Sequence, residues 1–142
     1  MEYSELTGQL RSRGELLLSG QIEDLVASYI YPLPIYLQSR CMVLNTPFDA
    51  YLVFDFLRTA LLERGVVSLR PQVNAVELPR GGRFRVWIDW HELADPVEET
   101  RKSSVIYYCR QTSLGPRAEM VDYTLMSMPE LDQQFAALAM SA

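Results

Sequence analysis

The amino-acid sequence predicts an α+β fold, in which helices from the first half of the chain pack on an antiparallel sheet built from the second half. Two observations carry this prediction. The spacing of apolar residues is mostly helical before about residue 65 and alternates as in a strand from about 66 to 127. Turn sequences containing glycine divide the second part into long strands. The 142 residues predict one domain, residues 1–142, with a core that folds without a disulfide or a metal.

Two helices open the predicted fold, and an extended segment follows them. Residues 2–18 and 21–29 have apolar positions at helical spacing, with a break at Ser19-Gly20. The segment Tyr31–Leu37 contains two prolines two residues apart, which neither a helix nor a central strand accepts. It must therefore be extended, at an edge of the sheet or beneath the helices, and residues 42–44 form a short strand.

A third helix starts at Thr46-Pro47 and ends at Gly65. A threonine hydroxyl can cap the first turn, and proline fits the first helical position. Glycine is the residue that most often ends a helix. Four strands and a short C-terminal helix follow, predicted over residues 67–78, 84–93, 102–112, 117–126 and 129–140.

The hairpin around Gly81-Gly82 predicts which residues share a face of the sheet. A two-residue turn there places Val76 opposite Trp87, Asn74 opposite Asp89 and Gln72 opposite His91. The other face is apolar and should pack under the helices, with Val73, Ala75, Phe84, Val86, Ile88 and Trp90. In the second hairpin, a turn at Leu114-Gly115 places Arg110 opposite Glu119.

Composition and charge exclude several classes of function. The net charge of −5 argues against a nucleic-acid partner, which needs a positive surface. The apolar runs are too short to span a membrane, and no signal peptide is visible, so we expect a cytoplasmic protein. Two distant cysteines and one histidine are too few for a structural zinc site, and we expect no metal and no cofactor.

The order of elements resembles the nuclear transport factor 2-like (NTF2-like) superfamily, which includes ketosteroid isomerase and the SnoaL-like cyclases. The resemblance lies in the helix Gln21–Tyr29, the segment Tyr31–Leu37, the helix from Pro47, and the strands containing Arg85–Trp90 and Val105–Tyr108. It implies a cone-shaped fold in which a strongly curved antiparallel sheet wraps the helices around an apolar pocket. It also implies a homodimer formed through the outer face of the sheet. Members range from isomerases and dehydratases to proteins without catalysis, so the fold does not determine the function.

Asp89 and His91 are the candidate catalytic pair. They lie two residues apart on one strand and therefore project from the same face. A carboxylate beside an imidazole can orient it for proton transfer. The alternative is that this polar face is a dimer interface or faces solvent.

A set of aromatic residues forms the candidate ligand-binding site. Tyrosines supply both apolar walls and phenol donors to a ligand cavity. The candidates are Tyr29, Tyr31, Tyr36, Trp90, Tyr107, Tyr108 and Tyr123. The alternative is that they pack only in the core and at an interface.

Three functions remain open at this point. The first is a domain that binds a small apolar or aromatic molecule between helices and sheet. The second is a lyase or isomerase that transfers a proton through an Asp/His/Tyr set. The third is a dimerisation or interaction module without catalysis.

Overall fold

Three helices and six strands have defined bounds in the described part of the chain. The computed structural model describes residues 3–38, 40–94 and 98–129, together with residues 132, 134 and 137. The helices are α1 (Tyr3–Ser19), α2 (Ile22–Val26) and α3 (Pro47–Glu63). The strands are β1 (Leu33–Tyr36), β2 (Cys41–Leu44), β3 (Val66–Val76), β4 (Arg83–Ala94), β5 (Glu98–Thr112) and β6 (Gly115–Leu125). The predicted α+β class, with N-terminal helices packed on a sheet, is confirmed.

All six strands form one sheet in the order β2-β1-β6-β5-β4-β3. The pairing is antiparallel except between β1 and β6, which run parallel. The proline-rich segment is extended as predicted and supplies β1, but β1 pairs with β2 on one side and with β6 on the other, so it is not an edge strand. Its ladder with β6 joins only Ile35 and Tyr36, which follow both prolines. Register shifts interrupt the β3–β4, β4–β5 and β5–β6 ladders, and such bulges bend strands.

The inner face of the sheet and the apolar side of α1 share one core. Phe84, Val86 and Ile88 of β4 are buried on this face, as the alternation of the strand predicts. From α1, Leu6, Leu10 and Leu17 pack against the same core. Gly14 lets this helix approach the sheet closely, because a Cβ there would lie 3.2 Å from Cβ of Leu69 and 3.2 Å from Cζ3 of Trp90.

The third helix begins and ends as its sequence predicts. The Thr46 hydroxyl accepts a hydrogen bond from the Asp49 amide at 3.2 Å, and the Asp49 carboxylate accepts one from the Thr46 amide at 3.3 Å. This reciprocal pair satisfies two of the amides that the first turn leaves without a helical partner. After the helix, Gly65 takes a φ of +79°, which side chains other than glycine rarely adopt.

The registers of the two long hairpins differ from the predicted ones. Arg80 lies opposite Arg83 as predicted, but Trp87 faces Ala75 and Asp89 faces Gln72, because the chain between Gln72 and Arg80 holds two residues more than the chain between Arg83 and Asp89. One of these is Asn74, at the register shift between Val73 and Ala75. The prediction that Ala75 shares the apolar inner face is therefore wrong, and its side chain is exposed.

The second hairpin turns one residue earlier than predicted. Thr112 pairs with Gly115, so the turn residues are Ser113 and Leu114. Arg110 consequently lies opposite Arg117 rather than Glu119. The predicted attraction is still present as a diagonal contact, with 2.6 Å between Nη2 of Arg110 and Oε2 of Glu119.

Some of the predicted elements lie partly outside the described residues. Of the predicted C-terminal helix 129–140, the structure describes residues 129, 132, 134 and 137, and the last three have helical backbone. The connection between β4 and β5 covers residues 95–97, which are not described. Within the described ranges, every helix is too short or too polar to cross a lipid bilayer.

Candidate functional site

A cavity of about 110 Å³ lies between the helices and the inner face of the sheet. Its walls are mainly apolar and aromatic. The aromatic residues that line it are Tyr29, Phe54, Trp90, Tyr107 and Tyr123. The polar residues that line it are Arg13, Glu92, Ser103 and Ser127. An apolar enclosure with a few convergent polar groups is the usual form of a small-molecule site.

The volume of the cavity limits what it can hold. Pockets for drug-sized ligands measure roughly 300–1,000 Å³, whereas a cavity of about 150 Å³ in an apolar core takes up a single benzene ring. At about 110 Å³, this cavity is smaller than both, so one small ring or a short branched chain is the upper limit of what it can hold.

Arg13 is the basic residue of the cavity wall, and the periodicity of α1 places it there. Leu6, Leu10 and Leu17 form the buried stripe of the helix, and residue 13 falls on the same stripe at helical spacing. The side chain is 9% exposed. Its guanidinium carbon lies 5.5 Å from the ring centroid of Tyr29 and 5.4 Å from that of Tyr107, so both rings make cation–π contacts with it.

A hydrogen bond orients two of the aromatic side chains in the wall. The indole nitrogen Nε1 of Trp90 donates to the hydroxyl oxygen of Tyr107 at 2.9 Å. The pKa of Tyr29 is raised by burial, against the opposing influence of the Arg13 charge and of a hydrogen bond from Tyr107. Tyr107 thus accepts a hydrogen bond from Trp90 and makes a second one with Tyr29.

Burial keeps the phenols of the cavity protonated at neutral pH. It is the largest cause that raises the pKa of Tyr29, Tyr107 and Tyr123 above the ordinary value for tyrosine. The negative charge that a phenolate would carry is poorly solvated inside the protein. These three phenols are therefore neutral groups in the cavity wall.

Glu92 brings a carboxylate to the cavity wall from β4. It follows Phe84, Val86, Ile88 and Trp90 at alternate positions and so belongs to the inner face, where it is 3% exposed. Its charge contributes to the raised pKa of Tyr123, whereas the Arg13 charge acts on Tyr29 and Tyr107.

Two serines complete the polar part of the wall next to the end of β6. The Ser127 amide donates to the hydroxyl oxygen of Ser103 at 3.0 Å. The Arg101 guanidinium donates to the Ser127 carbonyl at 2.7 Å. These bonds attach the segment after β6, which also brings Met126 and Met128 to the cavity, to strand β5.

The structure brings four of the seven predicted ligand-binding residues together. Tyr29, Trp90, Tyr107 and Tyr123 all line the cavity. The other three candidates lie elsewhere. The Tyr31 hydroxyl donates to the Val26 carbonyl at 2.7 Å, Tyr36 is 44% exposed on β1, and Tyr108 contacts Arg85 on the outer face.

Asp89 and His91 lie on the outer face of the sheet, as their alternation with Trp90 predicts. Asp89 accepts hydrogen bonds from Ser104 at 2.7 Å and Lys102 at 3.4 Å. A hydrogen bond from Ser104 is the main reason why the pKa of Asp89 is lowered, and such a carboxylate stays ionised. The His91 ring nitrogen Nε2 lies 2.7 Å from the side-chain oxygen of Gln72. The sheet therefore separates both side chains from the cavity.

The sequence interpretation missed the two charged residues of the cavity. The sequence nevertheless contains a signal for each of these two residues. Residue 13 interrupts a leucine stripe at helical spacing, and residue 92 continues the inward-facing parity of β4. A charged residue at a position that the pattern assigns to the core is the kind of local inconsistency that points to a site.

The remaining candidate chemistry is limited. Among the described residues, no three His, Cys, Asp or Glu side chains are grouped so that they could hold a metal ion. Cys109 is buried, as its apolar surroundings predict. Burial raises the pKa of its thiol to about 11, so it is not a reactive thiolate.

Comparison with known proteins identifies the fold. No family model matches the chain, and no curated protein is similar to it in sequence. A domain of unknown function with a cystatin-like fold from Nostoc punctiforme is similar in structure, with a TM-score of 0.68 and 15% identity over 93% of this chain and 80% of that one. Aln2 from a Streptomyces species has a TM-score of 0.65 and 12% identity over 93% of each chain.

A third similar structure carries the name of the fold that the sequence resembles. It is an NTF2-like protein with a cystatin-like fold from Novosphingobium aromaticivorans, with a TM-score of 0.61 and 15% identity over 93% of this chain and 86% of that one. The chain therefore has the NTF2-like fold. Because this fold hosts many unrelated activities, the function must be argued from the cavity.

Proposed function

We propose that the protein binds a small organic molecule with a single ring or an equally small apolar body in the cavity between its helices and its sheet. The observation that carries this proposal is the composition of the cavity wall. Apolar and aromatic side chains surround about 110 Å³, and a few polar groups converge on it. Neutral phenols supply directed hydrogen bonds, and the apolar side chains supply the free energy of burial.

Filling the cavity from one of its walls tests this proposal. Leu57 lines the cavity from α3, and Leu62, on the same helix, is 43% exposed. We expect Leu57→Phe to weaken the binding of single-ring probes about tenfold or more, because the added ring occupies their place. The matched variant Leu62→Phe should change affinity less than about twofold, since surface substitutions away from a site have small effects.

The fluorescence of Trp90 measures the binding of the probes. The chain has two tryptophans, and Trp87 packs beneath the Arg85 guanidinium on the outer face, 4.9 Å from the ring centroid. In a Trp87→Phe background, the fluorescence of Trp90 reports on the cavity alone. Toluene, benzamide and benzoate are the probes. If none of them gives saturable quenching, or if Leu57→Phe and Leu62→Phe weaken it equally, the protein does not bind ligands in this cavity.

The proton-transfer alternative stays a prediction, and the geometry separates it from ligand binding. Asp89 and His91 lie on the outer face, so a molecule in the cavity cannot reach them. The carboxylate that faces the cavity is Glu92. Binding in the cavity therefore has the stronger support.

A further inference from the structure

We propose that Arg13 makes the cavity specific for a small aromatic monocarboxylate, whose carboxylate group its guanidinium binds. This inference rests on the proposed function and adds the chemical class of the ligand. It starts from the surroundings of Arg13, which is nine-tenths buried. Nη1 of Arg13 is buried and donates no hydrogen bond to any residue in the described part of the chain.

A buried guanidinium without a carboxylate partner is costly, and the described surroundings compensate it only in part. None of the ion pairs among the described residues includes Arg13. Its favourable contacts are with the rings of Tyr29 and Tyr107. Aromatic rings attract the face of a guanidinium, whereas its N–H groups project in its plane and need acceptors. A ligand carboxylate supplies two such acceptors, spaced to match two parallel N–H groups of the guanidinium.

The groups around Arg13 favour an anion in the same place. Burial keeps Tyr29 and Tyr107 protonated, so their hydroxyl groups present protons and not negative charge. The bond from Trp90 occupies the acceptor side of Tyr107. The guanidinium lies beside the rings of these two neutral tyrosines, so a carboxylate that accepts hydrogen bonds from it meets no negative charge from either ring.

The rest of the cavity restricts the ligand to one ring and one negative charge. The small volume of about 110 Å³ admits no more than one ring, which would pack against apolar side chains such as Leu17, Leu25 and Val53. Glu92 lies in the wall of the same cavity and would repel a second negative charge. A phosphate dianion or a dicarboxylate is thus a poorer match than a monocarboxylate.

Benzoate and benzamide provide the test, because they have nearly the same shape and differ in charge. We expect the wild-type cavity, read through Trp90 in the Trp87→Phe background, to bind benzoate about 10–100-fold more tightly than benzamide. Hydrogen bonds to charged groups contribute about 1.5–3 kcal/mol, which corresponds to that factor. Arg13→Met should reduce the preference to about twofold or less by weakening benzoate alone. Arg13→Lys keeps the positive charge but loses the bidentate geometry of the guanidinium, so it should retain part of the preference for benzoate.

Arg11→Met is the matched control. It removes the same charge from an exposed position on the same helix and should leave the preference for benzoate unchanged. Equal affinity for benzoate and benzamide in the wild-type protein would overturn the carboxylate assignment, and so would an unchanged preference in Arg13→Met. Binding of toluene or benzamide without benzoate would overturn it while leaving the proposed function intact. If no probe binds, both proposals are wrong.

Discussion

Under the proposed function, Arg13 serves binding at the expense of stability. A guanidinium taken from water into an apolar wall loses hydration, and cation–π contacts with two tyrosines return only part of that free energy. In a binding protein such a residue is retained because the ligand provides the missing partner. The unliganded protein then carries the unfavourable burial.

This view predicts that Arg13→Met stabilises the unliganded protein. Methionine keeps the unbranched apolar stem of arginine and removes the buried charge, so we expect the free energy of unfolding to rise by about 1–2 kcal/mol. Arg11→Met, at an exposed position, should change it by less than about 0.5 kcal/mol. Urea unfolding followed by circular dichroism measures both. A clear loss of stability in Arg13→Met would mean that the arginine holds the fold together and is not kept for a ligand.

Asp89, in contrast to Arg13, is a charged residue whose charge has partners within the protein. It lies two residues from a histidine, on the outer face of the sheet, where its carboxylate accepts hydrogen bonds from Ser104 and Lys102. Its lowered pKa follows from these bonds, which favour the ionised form. Proximity along a strand identified a chemically plausible pair, but only the parity of the strand decides which side of the sheet the pair faces.

At the scale of the elements, periodicity predicted most of what the structure contains. The capped helix α3 starts at Pro47 as predicted, because the Thr46–Asp49 hydrogen bonds are local and depend only on neighbouring residues. The inner face of β4 follows from simple alternation over Phe84, Val86, Ile88 and Trp90. These predictions needed no knowledge of distant contacts.

The registers could not be predicted in the same way. Additional residues in β3 shift the ladder twice, and β5 pairs with β6 after a turn at Ser113 and Leu114. A bulge is a response to the packing and twist of neighbouring strands, so its position depends on contacts far away in sequence. The parallel pairing of β1 with β6 joins segments more than 80 residues apart, Ile35 with Val121 for example, and has no local signal.

The same distinction between a local sequence pattern and a distant contact applies to the residues of the candidate site. Tyr29, Trp90, Tyr107 and Tyr123 were expected at a ligand site as aromatic residues, and they meet at the cavity because each lies on an inward face. Tyr31, Tyr36 and Tyr108 were expected there on composition alone. Composition does not tell inward from outward, and their own contacts hold them elsewhere.

At the scale of the whole molecule, the fold leaves the outer face of the sheet available for a second copy of the chain. Trp87 of β4 and Ile106 of β5 pair across this face, and both side chains are half-buried. We predict that a homodimer forms at this surface. Such a dimer would bury the outer face without touching the cavity, which lies on the other side of the sheet.

We therefore expect static light scattering of the purified protein at micromolar concentration to give twice the monomer mass. Ile106→Glu should reduce the mass to that of a monomer, because it places a charge in the apolar centre of the interface while leaving the core unchanged. The cavity should still bind its probe in this variant. A monomeric wild-type protein would contradict the expected dimer.

The methionines allow the most direct measurement of the central claim, that a small aromatic ligand occupies the cavity. The chain has six methionines, of which Met42, Met126 and Met128 line the cavity, while Met120 faces Tyr108 on the outer side of the sheet. In protein labelled with ¹³C at the methionine methyl groups, the ring protons of bound benzoate should give intermolecular nuclear Overhauser effects to Met42, Met126 and Met128. Effects to Met120 instead, or none to the three cavity methionines at saturating benzoate, would contradict the account.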